Sequence, residues 1–187
     1  NEAIQIVEDG QIDTATGRAL DELAFNMYGI TRKPASKASS LNIERNVYFY
    51  VDDGLTFGDI NNGNSIVISE GTVISSNEFF QTNQTSVIYE VDADYVLDAG
   101  VGIGYVGVRS RVFGFESNVN SDSLNYHNFD NYFDYNQATL KVSNKFPILN
   151  GSEEETDNNF KFKITNYIQA KTNLNIDSLS MSSLDVN

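Results

Sequence analysis

The hydrophobic period of the sequence changes twice, and this change constrains the fold more than any other feature. Apolar residues recur at helical spacing in residues 14–29, at strand spacing in residues 41–146, and at helical spacing again in residues 153–171. A period of 3.6 builds one helix face, whereas a period of two builds one face of a sheet. The prediction is an α+β protein with a mainly antiparallel β domain, a sandwich or half-barrel, flanked by an N-terminal helix and a C-terminal helix.

The first predicted helix has one apolar stripe and a defined end. Thr14 or Thr16 is suited to cap its start. Gly29 suits the left-handed position after its last turn, and Pro34 prevents the helix from resuming. A helix this short is marginal alone and needs packing against its own chain or another one. Its stripe consists of Leu20, Leu23, Ala24, Met27 and Tyr28.

The central segment shows strand patterns separated by turn signals. NVYFYV (46–51) is a continuous apolar run, typical of a strand covered on both faces, and VGVRSRVFGF and ATLKVSN predict further strands. Turns are indicated at Asp53-Gly54, Asn62-Gly63 and Ala99-Gly100. The clearest alternation places on one face Val87, Tyr89, Val91, Ala93, Tyr95 and Leu97.

The second predicted helix occupies about residues 153–171. Ser152 and Glu155 have the S-x-x-E spacing of a capping box. The predicted organisation is a helical segment at 1–34, a β domain at 35–148, and a C-terminal helix with the start of a continuing segment at 149–187. The chain begins without Met and ends in a tail with apolar residues, so we expect it to be an excerpt of a longer protein. The apolar face of the helix carries Phe160, Ile164, Tyr167 and Ile168.

Charge and composition narrow the classes of function. Acidic residues number 26 against 12 basic ones, for a net charge of −14. Such a surface repels phosphate backbones, so we expect no nucleic-acid partner. No apolar run approaches the roughly 18 residues that indicate a membrane span, so we expect no membrane insertion.

The residues offer little for catalysis. The chain has no Cys, and its single His has no signalled serine partner, so the sequence predicts no enzyme activity. A hydrolase that uses two acids in a β cleft stays an alternative. It would need two converging carboxylates, one of them with a raised pKa.

Two motifs resemble ligand-binding loops, but their context favours a role in the fold. GIGYVG (102–107) matches G-x-G-x-x-G, yet strand-like residues follow it where a phosphate site needs a helix. DINNGNSIVISE (59–70) begins with Asp and ends with Glu like a calcium loop, but its glycine, Gly63, is fifth rather than sixth. Glycines inside a sheet and a hairpin turn at Asn62-Gly63 are the preferred interpretations, and no cofactor is expected.

An aromatic segment, NYHNFDNYFDYN (125–136), contains the only histidine, His127. Its aromatic and amide side chains could stack on and hydrogen-bond a sugar, which makes a secreted or surface carbohydrate-binding β module the alternative function. The preferred interpretation is that the aromatics pack on the sheet or on a neighbouring subunit, because buried aromatics dominate core and interface energetics. Asp130 and Asp134 could bind calcium weakly, but a metal site needs a tighter cluster, so none is expected.

Five short motifs occur in a fixed order along the chain. They are a helix with a Gly-x-x-Arg-x-Pro-Ala-x-x-Ala joint, an Ile-x-x-Gly-Thr-x-x-x-Ser turn, a Gly-Asn-Val-like stretch, a Val-Ser/Thr-Asn strand end, and a Gly-x-x-x-Glu-Thr/Ser-Asp helix start. The matching residues, in that order, are Gly29, Arg32, Pro34, Ala35 and Ala38; Ile68, Gly71, Thr72 and Ser76; Asn118 and Val119; Val142, Ser143 and Asn144; and Gly151, Glu155, Thr156 and Asp157.

This order of motifs resembles the baseplate J-like family, the baseplate wedge proteins of contractile-tailed bacteriophages and related contractile injection systems. The likeness covers residues 16–164. The chain departs from the family pattern at three places. Ser117 replaces the glycine of the third motif, Glu70 replaces a proline, and Lys161-Phe162-Lys163-Ile164 replaces Arg-x-Arg-Ile. These departures are typical of a divergent member.

The resemblance implies a non-enzymatic role in the tail baseplate of a virion made in the bacterial host cytoplasm. The chain would scaffold the wedge and transmit the contraction signal, with its helices bundled against other baseplate wedge proteins and further copies of itself. For the second helix, packing on the chain's own sheet is the alternative. The predicted partner interface consists of Leu20, Leu23, Met27, Phe160, Ile164, Tyr167 and Ile168.

Overall fold

The computed structural model of the chain describes residues 11–76, 86–129 and 140–182, with side chains up to residue 173. It confirms the α+β class, with antiparallel sheets and with helices before and after the β part along the chain. The chain divides into two compact units. The helical unit comprises Asn1–Pro34 and Glu154–Asn187, and the β unit comprises Ala35–Glu153.

Three small antiparallel sheets form the described part of the β unit. Their strand orders are β6-β1-β9, β2-β5 and β7-β4-β3-β8. All three sheets contribute side chains to one buried apolar cluster that includes Phe49, Ile68 and Tyr89. The strands are β1 (Val47–Tyr50), β2 (Ile66–Ile68), β3 (Val73–Ser75), β4 (Ile88–Val91), β5 (Tyr95–Leu97), β6 (Ile103–Val106), β7 (Val108–Ser110), β8 (Tyr126–His127) and β9 (Lys141–Asn144).

The central strand β1 shows why a continuous apolar run need not be covered on both faces. Val47 and Phe49 are buried, whereas Tyr48 and Tyr50 are half-buried. The prediction of a strand covered on both faces is therefore wrong for this run. Tyrosine has an apolar ring and a polar tip, so it suits a partly wet face while reading as apolar in the sequence.

The alternating run at 87–97 belongs to two strands in different sheets. The extended conformation is interrupted between β4 and β5, where Ala93 is exposed. Asp92 accepts a hydrogen bond from the hydroxyl of Tyr95, and Asp94 accepts one from the backbone N–H of Glu70. These two acidic residues fix a turn that the alternating pattern alone does not reveal.

The Asn62-Gly63 turn is present, but the predicted hairpin is wrong. Both residues have positive φ, 53° and 81°. The turn follows a four-residue helix, α2 (Phe57–Ile60), and leads into β2, which pairs with β5. Asp59 completes a capping box with Thr56, and hydrogen bonds from Thr56 lower the pKa of the Asp59 carboxyl. The acidic start of the calcium-like segment is therefore used to cap a helix.

The helical unit is built from α1 (Gly17–Tyr28) and the longer α3 (Asp157–Ser182), with residues 11–14 also helical. Gly29 ends α1 in the left-handed conformation at φ 67° and donates its N–H to the carbonyl of Phe25, as predicted. Thr16 occupies the N-cap position, although its side chain makes no capping hydrogen bond.

The predicted Ser152–Glu155 capping box is wrong, because α3 begins only at Asp157. The Ser152 hydroxyl is 2.9 Å from that of Ser36, within the β unit. Glu155 accepts a hydrogen bond from the backbone N–H of Lys33, within the helical unit. Both side chains that the motif assigns to the helix start thus interact with residues distant in the sequence.

Candidate functional site

The seven predicted interface residues lie in the helical unit with different degrees of exposure. Leu20, Phe160 and Ile164 are fully buried and pack together with Ile12 and Ala24. The described side chains of α1 and α3 therefore bury these three against each other, and their surface is not available to a second chain. Partly exposed positions are Leu23, Met27, Tyr167 and Ile168.

Arg32 is the centre of a polar cluster at the edge of this apolar core. Its Nε donates to Oδ1 of Asp21 at 2.8 Å, and its Nη2 donates to Oδ1 of Asp157 at 2.6 Å. Its Nη1 donates to the backbone carbonyl of Glu155 at 2.6 Å, and the guanidinium lies 4.9 Å from the ring centroid of Phe160. We call these five residues the Arg32 cluster.

The electrostatics of the Arg32 cluster favour the charged forms. The Arg32 side chain is only 9% exposed, and burial acts to lower its pKa, but hydrogen bonds to Asp21 and Asp157 raise it overall. The pKa of Asp157 is lowered by the backbone N–H of Gly17 and by Arg32. Asp157 also lies in the first turn of α3, where the helix dipole favours an anion.

Glu155 ties the joint of residues 29–34 to the start of α3. Its backbone N–H donates to the carbonyl of Lys33, and its carboxylate accepts from the Lys33 N–H, both at 3.0 Å. The Lys163 ammonium reaches both the Glu155 carboxylate and the carbonyl of Thr31. Burial acts to raise the pKa of Glu155, but the Lys33 N–H and Lys163 lower it overall.

These contacts give the Arg32 cluster a holding role. The nearly buried guanidinium has an acceptor for each of its three nitrogens. Removal of one carboxylate partner would leave part of its charge without compensation. The cluster fixes the middle of α1, the joint and the first turn of α3 to one another. It is an arrangement for rigid positioning within the helical unit.

A second set of motif residues meets in the β unit. Asn118 and Gly151 exchange hydrogen bonds: the Gly151 N–H donates to Asn118 Oδ1 at 2.9 Å, and Asn118 Nδ2 donates to the Gly151 carbonyl. The backbone N–H of Ala38 donates to the Ser117 hydroxyl at 3.0 Å. A Cβ on Gly151 would lie 2.6 Å from the carbonyl oxygen of Gly114, so only glycine fits. We call this contact set the Gly151 junction.

Asn144, from the fourth motif, organises the loop before β8. Its Oδ1 accepts from the backbone N–H groups of Ser123 and Leu124, and its Nδ2 donates to the carbonyls of Asn120 and Phe146. The side chain is fully buried. A buried amide with four hydrogen bonds specifies one loop conformation.

The glycine motif lies in the predicted strand context. Gly104 is in β6, next to Leu97 and Phe57, and β7 follows directly. Within residues 11–76, 86–129 and 140–182, no three of His, Cys, Asp and Glu are arranged to hold a metal ion. Asp130 and Asp134, where no metal site was expected, lie outside the described residues.

Only the first part of the aromatic segment is described. His127 is buried in β8, with Nε2 2.7 Å from the carbonyl of Leu140, and its ring packs edge-on against Phe49. Burial lowers its pKa. This side chain is part of the core, and residues 130–136 of the sugar-binding alternative lie outside the described residues. The helices of the described part include none that is long and apolar enough to cross a membrane.

The sequence pattern does not identify Asp21 as a member of the Arg32 cluster, and it marks Arg32 and Asp157 only as motif positions. A signal was present, because the basic pair Arg32-Lys33 follows a helix that carries Asp21, and Glu155 and Asp157 stand before and at the start of the second helix. Comparisons with known proteins add no relative, since no family model matches the chain and no curated protein matches it.

Proposed function

We propose that this chain is a structural component of a contractile-tail baseplate wedge. It scaffolds wedge assembly and transmits the contraction signal through rearranged contacts. In this role it has no catalytic activity, and its partners are other baseplate wedge proteins and further copies of itself in the virion tail baseplate.

The contact between Arg32 and Asp157 is the observation that carries the proposal. Arg32 belongs to the first motif of the resemblance and Asp157 to the fifth, and the two side chains are 2.6 Å apart. In the β unit, Asn118 of the third motif likewise bonds Gly151 of the fifth. Motifs that matched by chance would not be expected to contact one another. These contacts therefore support the resemblance to the baseplate J-like family.

The exposed aromatic residues of the helical unit are the proposed partner contacts. Phe25 is 61% exposed and Phe162 is 69% exposed, and Tyr167 is exposed beside Tyr28. Aromatic side chains are enriched at interface hot spots, and the buried core of this unit would hold them in fixed positions. Leu23, Met27 and Ile168, which are half-buried, would border this surface.

Immunogold electron microscopy of contractile particles from the source of the gene tests the proposal. Antibody raised against this chain should label the baseplate end of the tail, and mass spectrometry of purified tails should contain its peptides. An antibody against the tube protein serves as the control for accessibility. Tails that contain sheath and baseplate proteins but no peptide of this chain would contradict the proposal.

A further inference from the structure

The outer face of β1 and β6 carries an aromatic surface that the fold does not use for its core. In the antiparallel register, Tyr48 lies opposite Tyr105 and Tyr50 opposite Ile103. Tyr105 is 43% exposed and Ile103 is 52% exposed, whereas the alternate residues Val47, Phe49 and Val106 are buried. We call Tyr48, Tyr50, Ile103 and Tyr105 the tyrosine face.

The three rings contact one another in a row. The ring centroids of Tyr48 and Tyr50 are 5.5 Å apart, and those of Tyr48 and Tyr105 are 6.1 Å apart. The rings are inclined to each other by 46° and 59°. A ligand that spans the row therefore contacts rings in different orientations. This arrangement suits a chain whose successive units are rotated relative to one another.

The charged groups at the two ends of the tyrosine face are paired with opposite charges, although the whole chain has a net charge of −14. At one end Arg45 lies over the Tyr105 ring and pairs with Glu44. At the other end Lys141, opposite Tyr50 in the register, forms an ion pair with Asp52. An anionic ligand is repelled by the net charge, whereas an uncharged ligand is not.

The size and chemistry of the face favour a small polyhydroxylated ligand over a protein. Four side chains are far fewer than the roughly 20–30 residues that each side of a stable protein interface contributes. Ring faces accept the C–H surface of a pyranose, and the tyrosine hydroxyls, Asp52 and Lys141 supply hydrogen-bond donors and acceptors for its hydroxyl groups. A polar group at the edge of an apolar surface is the usual means of orienting a ligand.

We propose that the tyrosine face binds an uncharged oligosaccharide. This function is separate from the proposed wedge role, and it does not involve residues 125–136, the segment of the alternative carbohydrate-binding function. The sugar rings stack along Tyr105, Tyr48 and Tyr50, and the Lys141–Asp52 pair contacts hydroxyl groups at one end.

Titration of the ¹⁵N-labelled full chain with defined sugars tests the proposal. The probes are cellohexaose, maltohexaose and mannohexaose, with hexagalacturonate as the acidic counterpart. At least one neutral hexaose should shift amide resonances of β1 and β6, and the acidic one should not. Tyr105→Ala should weaken binding by about tenfold, as expected for the loss of one stacked ring. Tyr167→Ala, an exposed tyrosine of the helical unit, is the matched control and should leave affinity unchanged.

Three results would overturn the proposal: no neutral hexaose binds, the shifts fall outside β1 and β6, or hexagalacturonate binds as tightly as the neutral sugars. The amide shifts of the unmodified chain locate the binding site even if Tyr105→Ala does not fold. Ile103→Glu provides a second variant, since this half-exposed side chain lies on the same face and its new charge should weaken binding.

Discussion

Nη2 of Arg32 lies 2.6 Å from Oδ1 of Asp157, although 125 positions separate the two residues in the chain. The contact closes the helical unit, whose two parts come from opposite ends of the sequence. Because the guanidinium also bonds Asp21 and the Glu155 carbonyl, its loss affects three segments at once.

Arg32→Met should destabilise the helical unit strongly. The substitution removes three charge-assisted hydrogen bonds, so we expect the free energy of unfolding to fall by about 2–3 kcal/mol. Arg18→Met is the matched control, because Arg18 is 91% exposed and forms only an i,i+4 pair with Glu22. It should cost about 0.3 kcal/mol. Urea unfolding followed by circular dichroism measures both, and equal effects would contradict the role of the Arg32 cluster.

Acid should weaken the helical unit through Asp157. The pKa of this carboxyl is lowered in the folded chain by the Gly17 N–H and Arg32. A group with a lowered folded pKa stabilises above its unfolded pKa, and this stabilisation is lost as pH falls through the folded value. Stability should therefore drop as pH falls below about 4. The difference in unfolding free energy between the unmodified chain and Asp157→Asn should shrink over that range, and a constant difference would contradict the account.

His127 should make the β unit less stable in mild acid. Its Nε2 lies beside the Leu140 carbonyl, and its Nδ1 accepts the Phe129 N–H, so the neutral ring is bonded at both nitrogens. Burial lowers its pKa, and the unfolded chain therefore binds the proton first. Stability should decline as pH falls from about 6.5 towards the lowered folded value. Chemical denaturation at several pH values should show a smaller decline for His127→Gln, and identical pH profiles would refute the assignment.

The sequence predicted local features well where local chemistry decides them. Gly29 ends α1 because a left-handed residue is needed there, and Asn62-Gly63 turns for the same reason. It failed where distant residues compete. Ser152 and Glu155 match a capping box, but Ser36 and Lys33 lie within hydrogen-bonding distance of them.

The alternating pattern at 87–97 failed to show the break between two strands for a related reason. The run at 87–97 keeps its period of two across the break at Ala93, because Val91 and Leu97 are both buried although they belong to different sheets. The members of the Arg32 cluster come from three segments, so no single window of sequence contains the cluster. The order of the motifs and the charges around the joint were the only indications that its parts belong together.

Gly151→Ala should destabilise the β unit. A Cβ would lie 2.6 Å from the Gly114 carbonyl oxygen and 2.8 Å from Asn118 Oδ1, so the Gly151 junction would have to open. We expect a loss of about 1–3 kcal/mol, as for other cases of overpacking. In Gly100→Ala, the new Cβ would meet only the Asp98 side chain, at 3.3 Å. Thermal unfolding should show a near-native midpoint for Gly100→Ala, and a similar midpoint for Gly151→Ala would show that the junction tolerates a side chain.

Complementation of a deletion of this gene tests the central claim most directly, with sheathed tails counted by electron microscopy. The unmodified gene and Arg18→Met should restore sheathed contractile tails. Arg32→Met should restore few or none at growth temperature, because the proposed wedge role requires a rigid helical unit. Normal numbers of sheathed tails in the deletion itself, with no complementing gene, would contradict the assignment of this chain to the baseplate wedge.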